Sequence, residues 1–96
     1  MEEKFALAAL AALAQPTRLT VYRLLASRLP DGMGQTRIAA ECGTPRNTMS
    51  VHLAVLVTAG LVEAERHGRD VTYRACIGAA RAAFAFVIGE DEAEPG

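Results

Sequence analysis

"CGTPRNTMSVHLAVLVTAGLV", residues 42–62, decides the fold. Gly43 suits the end of one helix, Thr44 can cap the next, and Pro45 fits that helix's first position. An apolar stripe of Met49, Leu53, Leu56 and Val57 then runs to a stop at Ala59-Gly60, which predicts a helix over residues 45–59. The side chains richest in hydrogen-bonding groups, Arg46, Asn47, Thr48, Ser50 and His52, crowd into its first two turns. A helix that only has to stay soluble would spread Glu and Lys along its exposed face. This one is built to touch something polar with its N-terminal end.

Upstream, a short helix over about residues 36–42 is expected to stop at Gly43, and "PDGMG" before it is a break rich in turn residues. In "PTRLTVYRLLASRL", Pro16 opens a helix whose buried side is marked by Leu19, Tyr22, Leu25 and Leu29. Residues 2–13 are rich in Ala and Leu and form the first helix, with Phe5, Leu10 and Leu13 among its apolar positions. Downstream, residues 61–67 and 71–76 alternate as strands do, and "HGRD" between them is a hairpin tip containing Gly68. A last helix over residues 77–88 is apolar nearly all round, from Ala79 to Ile88, and so needs burial on more than one side.

The expected fold is therefore mainly α with a β-hairpin wing, a winged helix-turn-helix, as a single domain over residues 1–96. The helix-turn-helix covers about residues 36–59, the wing about 62–76, and an acidic tail residues 90–96. The second helix of such a unit enters the major groove and reaches base edges with its N-terminal residues. At 1.5 Å per residue the helix over 45–59 is about 22 Å long, and a groove about 12 Å wide admits it. Donors and acceptors in its first turns and an anchor in its later ones are what that docking requires.

Ninety-six residues, about half of them apolar, make one small domain whose burial a second subunit would improve. The net charge of −1 speaks against nucleic acid until its distribution is read. Residues 16–81 carry nine arginines against five acids, while the two ends carry Lys4 against six acids. A basic middle between acidic tips suits a body that faces DNA. The longest apolar run, "FALAALAALA", is too short to span a bilayer and has no basic lead, so neither membrane association nor a signal peptide is expected. Cys42 and Cys76 form no CxxC pair or disulfide framework, which fits the reducing cytoplasm.

"LAALAQPTRLTVYRLL", "IAAECGTPRNTMSVHLAVLVTAGLV" and "ERHGRDVTYRA" resemble successive segments of the ArsR/SmtB repressors, small dimeric winged helix-turn-helix proteins. The resemblance runs from about Leu10 to Ala75, and its specificity lies in the order and spacing of "PTRL", "TMSVHL", "AGLV" and "GRDVTYR". It implies DNA reading by the helix over 45–59, so Arg46, Asn47, Thr48, Ser50 and His52 are the recognition candidates. Arg46 has the chemistry for a bidentate guanine contact or a phosphate, and Asn47 for adenine. Thr48 and Ser50 suit phosphates, or else close helix packing, and His52 could instead hydrogen-bond within the fold. Gln35, Thr36 and Arg37 open the preceding helix and can reach the DNA backbone. Arg66, His67 and Arg69 of the wing can reach phosphates or the minor groove, although Arg69 could simply pair with Asp70. Phe5, Leu10, Phe84, Phe86 and Val87 are expected at a homodimer interface, and the resemblance implies repression from an inverted repeat.

Many members of that family release DNA on binding metal ions or arsenite. "QTRIAAEC" has no cysteine pair and the last helix no histidine, so no metal site and no cofactor is expected. Cys42 and Cys76 read most simply as small apolar fillers, with a thiol-based sensor of redox state or thiophilic ions as the alternative. An enzyme is not expected, because no nucleophile stands with a positioned base. A winged helix that binds proteins is the other alternative. Such a module would show apolar or acidic residues where this chain has Arg, Asn, Thr, Ser and His.

Overall fold

Alanine, not leucine, faces the interior of the first helix, α1 (Glu3–Leu13): Ala6, Ala9 and Ala12 are buried, while Phe5 and Leu7 are more than half exposed. Small side chains at this spacing let α1 lie close against the last helix, α5 (Ile77–Ile88), which presents Ala80 and Ala83 in return. Phe5 and Leu7 of α1 and Phe84, Val87 and Ile88 of α5 therefore point outward, while Leu13 and Ile77 pack against the core. The computed structural model describes residues 1–90, so the expected acidic tail lies outside the described residues beyond Glu90.

The second helix, α2 (Pro16–Ser27), starts where Gln15 turns its side-chain oxygen onto the Arg18 N–H at 2.8 Å, with Pro16 in the first turn. Its buried residues are Val21, Tyr22 and Leu25. This corrects the expected stripe: Leu19 and Leu29 are exposed. Leu19 lies off the Val21–Leu25 face, and Leu29 falls beyond the end of the helix. The Tyr22 hydroxyl donates to the Cys76 carbonyl at 3.1 Å and ties α2 to the chain entering α5.

Within the "PDGMG" break the structure holds a strand the sequence did not suggest, β1 (Met33–Gly34). Two residues cannot announce a strand by alternation. They become one by pairing antiparallel with β3 (Asp70–Ala75), Met33 opposite Tyr73 and Gly34 opposite Thr72. β3 also pairs with β2 (Val62–His67), from Val62 opposite Ala75 to His67 opposite Asp70, giving the sheet order β1-β3-β2. The hairpin loop is only Gly68-Arg69. Gly68 has φ +62°, at the position where hairpins that follow the right-handed strand twist favour glycine.

Between β1 and β2 run α3 (Gln35–Cys42) and α4 (Arg46–Thr58). Gly43 ends α3 in the left-handed conformation, with Thr44 N–H donating to the Ala39 carbonyl at 3.0 Å and Gly43 N–H to Ala40 at 3.3 Å. That closure turns the Thr44 hydroxyl back onto the Cys42 carbonyl. Thr44 therefore does not cap α4, and Pro45, with ψ 146°, stands before the helix instead of in its first turn. Met49, Leu53 and Leu56 anchor α4, whereas Val57, expected among them, is rotated out to the surface. Their partners at the centre are Val21, Leu25, Ile38 and Leu61, all fully buried.

Candidate nucleic-acid interface

The first turns of α4 stand clear of the core. Arg46, Asn47, Thr48 and Ser50 are exposed, and only Met49 among them turns inward. Gln35, half-buried at the start of α3, donates its side-chain N–H to the Arg46 carbonyl at 3.0 Å. This bond fixes the start of the reading helix against the helix before it, so Gln35 already commits one donor inside the protein. Asn47 Oδ1 accepts the Thr48 N–H at 3.1 Å, a local bond that a base could replace.

In front of α4, a concavity of about 390 Å³ brings together Arg37 of α3, Arg46 of α4 and Arg69 of the hairpin loop, with Thr36, Gly34 and one carboxylate, Asp70, in its wall. A second hollow beside it is lined by Gln35, Arg46, Asn47 and Ser50. Arg46 thus borders both. Among the described residues Arg46, Arg66 and Arg69 make no ion pair, so Arg69 does not pair with Asp70. Arg37 is engaged instead: its Nε lies 2.9 Å from Glu41, which also takes Arg28 at 3.1 Å. These contacts are exposed and together contribute on the order of 1 kcal/mol or less, weak enough for Arg37 to exchange Glu41 for a phosphate.

His52, Arg66 and His67 stand apart from this group. His52 lies on the flank of α4 away from Arg46 and Ser50, half-buried, with its Nδ1 enclosed and without a hydrogen-bond partner. On the wing, Arg66 and His67 are neighbours on β2 and so project to opposite faces of the hairpin. His67 shares its face with Glu65, at 3.6 Å, and Glu65 also holds Arg74. That Arg74 hydrogen bond, with the His67 and Arg74 charges behind it, keeps the Glu65 carboxyl below its usual range. Arg74 Nε donates to the Pro30 carbonyl at 2.9 Å, so one side chain braces β2 and the turn before β1. The outward line of α4 also carries a residue that reading for polar groups passed over. Val51, one turn after Asn47, is 62% exposed.

A family model described as a helix-turn-helix domain matches residues 13–65. Among solved structures, an ArsR-like transcriptional regulator from Rhodococcus sp. RHA1 is 26% identical, with 90% of this chain and 80% of that one covered at a TM-score of 0.75. The homodimeric winged helix-turn-helix DNA-binding domain of a possible ArsR-family transcriptional regulator from Mycobacterium bovis is 30% identical, covering 95% and 83% at 0.73. A possible transcriptional regulator for arsenical resistance is 31% identical, covering 84% and 81% at 0.73. The chain belongs to the ArsR family. No curated protein matches it.

ArsR-family membership makes the molecule a DNA-binding transcriptional regulator and not an enzyme. Cys42 and Cys76 are both free and half-buried. Burial pushes each thiol above its ordinary value, with Glu41 adding to the effect at Cys42 and Glu63 at Cys76. The thiolate is the reactive form, and a raised thiol leaves less of it at neutral pH. Among the described residues no group of three or more His, Cys, Asp or Glu side chains could hold a metal ion. Among them, too, no helix is long and apolar enough to cross a membrane.

Proposed function

We propose that this ArsR-family regulator is a homodimeric repressor that lays α4 of each subunit into the major groove of an inverted repeat. The observation that carries the reading is the concavity shared by Arg37, Arg46 and Arg69 in front of an α4 whose first turns are polar and exposed. Three cations from three elements line the space that a phosphate strand would enter as α4 docks. Arg46, Asn47 and Ser50 then read base edges, while Thr36, Thr48, Arg37 and Arg69 hold the backbone. Gln35 orients Arg46 through the α4 backbone. Arg66 or His67 extends the wing contact, one for each face of the hairpin. His52 supports α4 from its half-buried flank.

Dimerisation is supported by what α1 and α5 leave uncovered. Phe5, Leu7, Phe84, Val87 and Ile88 are all more than half exposed, on two helices that pack against each other. Leu10 and Phe86 are half-buried beside them. An apolar surface of this kind marks an interaction site. A second copy of the same pair of helices covers it symmetrically and sets the two α4 helices about 34 Å apart, one DNA turn. Occupation of a promoter then blocks transcription, in the cytoplasm, without a cofactor.

Fluorescence anisotropy on DNA from upstream of the protein's own gene, with random DNA as competitor, tests this reading. With about six to eight phosphates neutralised per dimer, affinity should fall by about three to four orders of magnitude between 50 and 200 mM salt. Binding no tighter than to random DNA would contradict specific reading by α4.

A further inference from the structure

A valine does not belong, on solubility grounds, at the outermost line of a polar helix. Met49, Leu53 and Leu56 define the buried side of α4, and Asn47, Val51, Ala54 and Thr58 lie on the opposite side at i, i+4, i+7 and i+11. Three of these residues are polar or small. Val51 is the large apolar one, and it is 62% exposed. Val51 also borders a hollow of about 580 Å³ between α1 and α4, whose lining is mostly small residues such as Ala8, Ala11 and Ala54, with Arg18 the one long side chain.

We infer that Val51 reads the C5-methyl group of a thymine in the major groove. The inference rests on the proposed docking of α4 and adds a base contact to it. Val51 stands one turn, about 6 Å, along the helix from Asn47. It therefore faces the floor of the groove on the same line as the adenine-reading candidate, at a neighbouring base pair. The thymine methyl is the apolar group the major groove exposes, and an apolar side chain is its natural partner. Valine is also stiff: in a helix one χ1 rotamer dominates, so its methyls are held ready before DNA arrives. The hydrogen-bonding residues around it cannot tell thymine from uracil. Val51 can.

The experiment selects binding duplexes from a random library with the full-length protein. Each thymine of the selected site is then replaced, one at a time, by deoxyuridine, which keeps every hydrogen-bonding group and lacks the methyl. One position in each half-site should lose about four-fold in affinity, the worth of one buried methyl. Val51→Ala should bind thymine and uracil equally there while remaining sensitive to base changes opposite Asn47. Because Val51 is exposed, that variant should melt with the parent, and Val51→Thr, which keeps one methyl at the same shape, should retain part of the discrimination. A selected site whose thymines all tolerate uracil, or a Val51→Ala protein that still discriminates, would overturn the inference while leaving DNA reading by α4 intact. Selection that enriches no sequence would overturn both together.

Discussion

Arg46 and Arg69 line the same concavity, yet the proposed docking gives them different tasks. Arg46 also borders the hollow with Asn47 and Ser50, which the proposed docking turns toward base edges. Replacing it with alanine should cost about 1–3 kcal/mol on the specific site and much less on random DNA. Arg69 sits on the hairpin loop, where a phosphate is the available partner. Arg69→Ala should weaken binding to both DNAs alike and lower the salt slope by about one for each phosphate released, which titrations at several salt concentrations would separate. At this scale the sequence was informative about residue type and less so about direction. Arg46, Asn47, Thr48 and Ser50 could be picked out because polar residues crowding one helix end is unusual. His52 belongs to the same run, but one helical step carries it to the flank, where its Nδ1 is enclosed. Val51 was invisible to a search for polar groups, although its i+4 relation to Asn47 is a signal that could have found it.

At the scale of elements, the wing is held from outside the hairpin. Arg74 joins Glu65 on β2 to the Pro30 carbonyl before β1, and Gly32 in that turn lies against β3. A Cβ on Gly32 would stand 2.6 Å from the Tyr73 carbonyl oxygen, and φ is already +76°. Gly32→Ala should therefore destabilise the protein by about 2 kcal/mol or more in thermal or chemical denaturation. The Arg74–Glu65 contact carries a pH dependence. Folding lowers the Glu65 pKa below the ordinary carboxylate value, so the stabilisation is present above that ordinary value and disappears as pH falls through the lowered one. Glu65→Gln, which mimics the protonated acid, should match the parent's melting temperature at acid pH and fall slightly below it at neutral pH, so that this part of the acid-side decline disappears. The hairpin and the α3–α4 turn could be read in advance because Gly68 and Gly43 mark them. β1 could not, because its two residues are a strand only by virtue of β3.

At the scale of the whole molecule, the large side chains Leu25, Ile38, Met49, Leu53, Leu56 and Leu61 fill the centre, whereas the contact between α1 and α5 is made by small ones. Ala9 and Ala12 of α1 share the core with Ala80 and Ala83 of α5, and Phe5, Leu7, Phe84 and Val87 are left toward solvent. Hydrophobicity along α1 and α5 announced a partner, but which side chains would serve it depended on alanines winning the interior. Phe84→Glu should leave the protomer folded, since the residue is 54% exposed, and give monomers by light scattering with much weakened DNA binding. An intact dimer would remove α5 from the interface. Of the core, Leu25, Met49, Leu53 and Leu56 were legible from period alone, whereas Leu19 and Val57 show how a single step around a helix exchanges core for surface.

Whether two α4 helices read one inverted repeat is decided by hydroxyl-radical footprinting on DNA from upstream of the gene. Two protected segments related by two-fold symmetry are expected, their centres about 10 base pairs apart. Arg46→Ala should weaken both segments equally. A single protected segment, or uniform protection along the duplex, would contradict paired reading by the dimer.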